Sequence, residues 1–529
     1  MAIDLPPLDT AEHTNAAWQQ RAAAHQRLSI RTPSHQFQVF GTEQLLGPET
    51  VKQALTNATD AASARQALLA AFADAGILNA VVAADEQAGQ IRLWAMAIGF
   101  AGYDGPERLQ PYFEDYIGEQ PVRYSDFAAH RRLAQMHANR AGFEPFALYE
   151  VVDEDLARKQ MKLRVSETRA PWDYAAFAGN TGNRYFGRWI GGGGVSWTHP
   201  SSWRLGATYE HAFPELGDDP SDADYDQLSL FSDLVRPWGV VRLESQYAEY
   251  DYQGQRGARL LPIAPDDEQP QYEASNLQLK LSGEHFLYMS PHWQWSVSES
   301  LSYRRYRNED IRTDQGRRDE RYSQASGAVS GRWSNDDTDS RPMLFMRAEL
   351  RQSLDSQALG TDAQNRYTAF GAEVGAASNV LSLGRLVISA QGQHSDDPLP
   401  EAEEWLLGGL DRLNAWLPGV AVGDQGYYAR AQYNTPTWTP NWPFSNWGLE
   451  FIAAYEQGQT EFVRADGDGS FGRARLANVA MGVNVLTESP WKLELRGARP
   501  AMDEGLDPDY LRSQEVDFFL RVTRSWNPA

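Results

Sequence analysis

Apolar or aromatic residues hold nearly every odd position from Trp293 to Tyr303, and polar residues hold every even one. Leu277–Ser282, Val241–Tyr247 and Trp491–Arg496 repeat the alternation. Period two is the signature of a strand with one apolar and one polar face. Such segments fill the chain from about residue 172 to its end, separated by turn-rich and often acidic loops such as Gly217–Asp222. Each segment is read as about ten residues, the length of a tilted strand crossing a bilayer. Soluble sandwiches alternate as well, so the period alone does not choose between them. At about 22 residues per strand and loop, a zone of this length holds about sixteen strands, the size of a channel-forming barrel.

The preceding residues carry a different pattern. Residues 8–28 read as one polar helix, opened by Asp9 and Glu12 in a capping-box spacing. With Trp18 and Leu28 as its main apolar residues, it suits either a wet channel interior or a solvated linker. From 35 to 170 a β-α-α-β-β pattern appears twice. The first copy takes the strand His35–Phe40, helices Pro48–Asn57 and Ser63–Ala75, and a hairpin of Ala80–Ala83 with Gln90–Ala95. The second takes Ile98–Phe100, helices Pro106–Tyr116 and Tyr124–Ala141, and strands Phe146–Val151 and Gln160–Val165. Two units of about seventy residues form an internal duplication, and open sheet edges in such modules bind peptides by strand addition.

Composition sharpens the choice for the long strand zone. The chain has 17 Trp, 23 Tyr and 21 Phe, which favours the aromatic girdles of a membrane barrel. No run of about twenty apolar residues exists, which excludes a helical span. A net charge of -23 argues against nucleic acid as a partner. The absence of cysteine excludes disulfides and thiolate metal sites. The N-terminus lacks a basic segment followed by an apolar stretch, so the sequence is expected to begin after a removed signal.

The order of a helix, two small units and a barrel resembles the two-partner secretion translocators, the TpsB family. The resemblance implies a plug-like helix and linker at 1–34, POTRA domains at 35–97 and 98–170, and an outer-membrane barrel at 171–529. Asn180-Thr-Gly182-Asn-Arg184-Tyr185-Phe-Gly187-Arg188 is similar to the family's first-strand pattern. Gly408-Gly409, then Gly423-Asp424-x-Gly426 and Arg430, resembles the stretch around the family's inward-folding loop. That loop usually carries V-R-G-F or V-R-G-Y; here the tetrad is Leu413-Asn414-Ala415-Trp416, with Asn in place of the Arg. The family pairs the Arg with an acidic residue on a neighbouring strand, for which Glu456 is the nearest match. Asn414 forms no such ion pair, and Arg412 is the expected substitute.

Phe146, Leu148 and Tyr149 are candidate client contacts, with ordinary strand core as the bland alternative. The resemblance implies a monomeric exporter of a secreted exoprotein client, in contact with outer-membrane lipid and with its POTRA domains in the periplasm. An assembly factor for other barrels, or a passive porin or receptor, are the rival readings. No G-x-S-x-G, H-E-x-x-H or phosphate-loop pattern occurs, so neither catalysis nor a cofactor is expected. Asp466–Ser470 reads as a hairpin loop rather than a calcium loop.

Overall fold

The computed structural model describes residues 16–526 apart from 33–34, 44, 88, 98–99, 119–120, 142, 154–157, 168–170, 183–186, 217–223, 254–270, 291, 311–317, 336–339, 360–365, 381–382, 441–446, 464–471 and 488–489. The proposed capping box at Asp9 and the loop at Asp466 lie outside these residues. The first described helix, α1 (Ala16–Ala23), ends before the sequence pattern predicts. It packs on a small sheet, and Leu28 belongs to a strand, β1 (Arg27–Arg31), rather than to the helix.

That sheet continues with β2 (Gln36–Phe40), then helices α2 (Pro48–Leu55) and α3 (Ala61–Asp74), then β3 (Ala80–Gln87) and β4 (Gln90–Ala97). Its order is β1-β2-β4-β3, with β2 and β4 parallel and the other pairs antiparallel. Asp60 starts α3 by accepting from Ser63 N at 2.7 Å, while Ser63 Oγ accepts from Asp60 N at 3.1 Å. This reciprocal cap satisfies amides that the helix itself leaves unpaired. Below it, Leu68 and Phe72 join Phe37, Val39, Ile91 and Leu93 in a closed core. Each such side chain contributes about 1.5–3 kcal/mol by leaving water.

The second unit holds β5 (Phe100–Asp104), α4 (Tyr124–Arg140), β6 (Phe143–Asp153) and β7 (Arg158–Glu167), with sheet order β5-β7-β6. Residues 106–116 are two 3-10 turns rather than the predicted helix. Pro111 lies inside the first turn and removes an amide that an α-helix would need. Among the described residues the second sheet has no counterpart of β1.

Sixteen antiparallel strands then close into a barrel. The last strand, Phe518–Trp526, pairs with the first, Trp172–Gly179. No described helix is long and apolar enough to cross a membrane; the crossing is made by strands. The alternation places Leu279, Leu281, Leu301, Tyr303 and Leu243 on the outer wall, each 37–52% exposed to surroundings other than protein. Trp172, Trp203, Trp238, Trp447, Trp491 and Trp526 are also exposed, all at the strand ends nearest the small domains. They form the aromatic rim of a membrane-facing band.

The central strands are longer than the sequence reading allows. Gln271–Met289 has 19 residues and Trp293–Asp310 has 18, against 8 and 9 for the first and last. Nineteen residues at about 3.3 Å each reach about 60 Å, well beyond an apolar layer of about 30 Å even when tilted. Past Tyr303 the outward positions of Trp293–Asp310 become Arg305, Arg307 and Glu309, so the extra length is hydrophilic.

Candidate functional site

Between the strands Arg385–Ser395 and Gln425–Asn434, residues 396–424 fold back into the barrel. A short hairpin, Trp405–Leu407 with Ala421–Gly423, stiffens the fold-back. Gly408 makes the first corner with φ +99°, and a Cβ there would lie 2.1 Å from Leu417 O, so only glycine fits. The tip carries Leu413, Asn414, Ala415 and Trp416, all within 1% of full burial. Leu413 adopts φ +57°, a left-handed turn that a branched side chain enters at a cost of about 1–2 kcal/mol. Packing holds it there: Leu413 and Trp416 share a core with Trp405, Leu407, Tyr428, Leu476 and Leu511.

The tip meets the wall at Glu456. Asn414 donates its backbone N–H to Glu456 Oε2 at 2.9 Å and its side-chain amide to Oε1 at 3.4 Å. Tyr428 OH donates to Oε1 at 2.7 Å, and Asn478 Nδ2 to Oε2 at 2.9 Å. The neutralising cation is Arg430, 3.3 Å away on the adjoining strand and in direct register with Glu456. The ion pair is therefore made within the wall, and the loop adds neutral donors. Arg412, the substitute expected from the sequence, does not reach Glu456. Its guanidinium stacks 4.2 Å over the Trp405 ring and donates to Leu406 O at 2.7 Å.

A second contact zone escaped sequence reasoning, because nothing in the chain marks an acidic loop residue as a lumen contact. Glu403 lies on the descending limb of the loop, its side chain 10% exposed. Arg304 reaches Oε1 at 3.2 Å and Arg351 reaches Oε2 at 2.7 Å, from two different strands. Tyr322 OH donates to Oε1 at 3.0 Å. The neighbouring Glu401 accepts from Tyr306 OH at 3.0 Å, and its N–H donates to Glu320. Asp424 ties the loop's two ends by accepting from Leu399 N at 2.7 Å, and it also accepts from Val463 N, just past the strand Trp447–Glu461, at 2.9 Å.

The segment similar to a first-strand motif lies after the first barrel strand, in the turn toward Ile190–Thr198. Asn180 clamps the last strand: its Nδ2 donates to Phe518 O at 2.8 Å and its Oδ1 accepts from Leu520 N at 2.6 Å. Gly182 N donates to Arg188 O at 2.8 Å, and Gly187 takes φ +118°. Arg184 and Tyr185 lie outside the described residues. Phe146, Leu148 and Tyr149 fall in β6, which pairs only with β7 among the described residues and so is a sheet edge; their side chains lie outside the described set. His211, Asp224 and Asp226 approach one another on the outer wall, where Asp226 already bonds His211 at 3.0 Å and the Tyr209 hydroxyl.

The second small unit is docked on the barrel. Helix α4 packs on the ends of strands Asp224–Arg236 and Gln271–Met289. Arg140 pairs with the buried Asp233, and Arg132 lies 5.5 Å over the Phe286 ring. His137 is buried between the Tyr112 hydroxyl, 3.0 Å from Nδ1, and Pro200 O, 3.1 Å from Nε2. Burial pushes its pKa down to about 4, with Arg108, Arg236 and Arg140 adding to the shift and the Pro200 carbonyl opposing it.

A closed sixteen-strand barrel with an inward loop and small α+β units before it is the architecture of an outer-membrane β-barrel, and the family it belongs to makes it a non-enzymatic translocator of the two-partner secretion class. The family model for the haemolysin secretion/activation proteins ShlB/FhaC/HecB matches residues 160–485, and the chain belongs to that family. The fold is similar to CdiB from Escherichia coli, with a TM-score of 0.73 at 14% identity over 95% of this chain and 91% of that one. CdiB from Acinetobacter baumannii gives 0.64 at 13% identity over 88% and 81%. No curated protein matches the chain in sequence.

Proposed function

We propose that the chain exports a partner exoprotein from the periplasm to the cell surface. The loop docked inside the lumen by Asn414, Glu456 and Glu403 carries this reading, since a conduit closed by its own movable segment suits an occasional large cargo. In this reading the POTRA units lie in the periplasm, at 35–97 and 98–170, and receive an unfolded client. The free edge of β6, with Phe146, Leu148 and Tyr149, adds the client as an extra strand, which demands little of its sequence. The client then passes through the lumen as the loop moves aside, and folding outside supplies direction. The translocator acts as a monomer surrounded by outer-membrane lipid.

The seam between first and last strands supports a second reading, assembly of other barrels. It has six register pairs, from Arg521–Gly179 to Trp526–Tyr174, against thirteen between Asp224–Arg236 and its neighbour. Mass spectrometry of surface, medium and periplasm separates the two, comparing a deletion strain with its complemented parent. Loss of one large exoprotein outside, with fragments retained in the periplasm, is the expected result. A joint fall of many integral barrels with no specific loss outside replaces export by assembly.

A further inference from the structure

We infer that Glu403, held between Arg304 and Arg351, is the ionic anchor that positions the inward loop. The tip cannot supply that anchor. Asn414 carries no charge, and the charge of Glu456 is met by Arg430 from the wall itself. Cutting the tip away from Glu456 would cost hydrogen bonds but would separate no opposite charges there. Near the tip, the exposed Asp411 stands 3.9 Å from Arg521, whose closer partner is Glu494 on the wall, and a solvent-exposed pair at that distance contributes little.

The descending limb is different. The Glu403 carboxylate presents one oxygen to Arg304 and the other to Arg351, across strands Trp293–Asp310 and Met343–Leu359. Arg304 Nη1 also donates to Ala402 O at 2.7 Å, and Gln393 Nε2 donates to Glu403 O at 2.8 Å, which fixes the backbone on both sides of the carboxylate. The arginines' other side-chain partners, Gln278 and Gln393, are neutral. Among the described residues, neither Arg304 nor Arg351 forms an ion pair with any acid except Glu403. Withdrawing the loop therefore leaves two lumen guanidinium groups without their ion-pair partner. Opposed charges in a partly desolvated lumen hold more strongly than a surface pair. The anchor is thus reversed in polarity, with the acid on the loop and the bases on the wall, and stands eleven positions before Asn414. Glu403 is a positioning residue: it acts on the conduit through the loop.

The consequence for export rests on the function proposed above, but the test does not. The sequence has no cysteine, so Ala415→Cys places a single thiol at a position 1% exposed. Maleimide labelling of the purified full-length protein, without any client, reports loop release, and the heat-dependent gel shift of folded barrels restricts the count to folded molecules. Glu403→Gln is expected to raise the labelling rate by at least about tenfold, since a buried pair is broken. Arg304→Gln with Arg351→Gln should do the same. Glu403→Arg with Arg304→Glu and Arg351→Glu should return the rate to within about twofold of the parent, a rescue by charge that a mere volume effect does not give. Single-channel conductance in planar bilayers should follow the labelling in all three variants. A rate unchanged by Glu403→Gln overturns the proposal, as does a raised rate that the reversed pair fails to restore. A failure of export leaves this outcome unaffected, so the two readings fail separately.

Discussion

Glu456 has no exposed surface, and four hydrogen-bond donors and the Arg430 guanidinium surround its carboxylate. Removing one partner of a buried pair is more damaging than its net worth, because the other is left uncompensated. Glu456→Ala is therefore expected to cost about 3–5 kcal/mol, read as a lower temperature for the gel shift from folded to unfolded barrel. Glu456→Gln keeps an acceptor and should lose less. Asn414→Ala removes only the side-chain bonds, since the backbone N–H still reaches Glu456, and a loss of about 1 kcal/mol is expected in the same assay. Glu456 was named only through the family resemblance, as the acid nearest to matching the loop's partner, and it lies against Asn414. Arg412 was misassigned because its neighbour Trp405 offers an aromatic face, a contact that no spacing announces. Glu403 was not legible at all: an acidic residue in an acid-rich loop looks solvated until the two arginines are placed opposite it.

At the scale of elements, the alternation of Trp293–Tyr303 reported both the strand and its membrane face, because lipid and lumen make opposite demands on neighbouring positions. It faded beyond Tyr303, where both faces of the wall are polar, and so the extra strand length was not legible. The strand Arg27–Arg31 went unread, its first two residues taken into the helix read over 8–28, because Leu28 and Ile30 give only two turns of the period. The first and last strands pose a question that a cross-link answers. Ala175 and Ser525 are register partners across the seam. Cysteines at both positions, oxidised to a disulfide in the otherwise cysteine-free chain, should leave export within about twofold of the reduced protein if the client uses the lumen. Abolished export that returns on reduction would mean that the seam itself must open.

Taken as a whole molecule, the second small unit meets the barrel through helix α4 and through Tyr112, whose hydroxyl reaches Val235 O. The buried His137 holds its proton more weakly when docked than in water, where its ordinary pKa is 6.5. Its contribution to docking is then complete above about pH 6.5 and is lost as pH falls toward 4. Hydrogen exchange of residues 124–140, corrected for the intrinsic rate, should quicken between pH 7.5 and 5, and His137→Gln should flatten that response. An unchanged pH response in His137→Gln would assign the effect to other groups.

The inward loop has a kinetic meaning for cargo selection. A segment that fills its own conduit is a competitor that never diffuses away, and a short tether gives it an effective concentration on the order of millimolar. A peptide free in the periplasm at lower concentration, with similar affinity for the wall, loses that contest. Under the proposed function, a client held at the edge of β6 would itself be tethered beside the conduit and would compete on equal terms. Discrimination among cargoes can then reside in delivery, while the lumen remains indifferent to sequence.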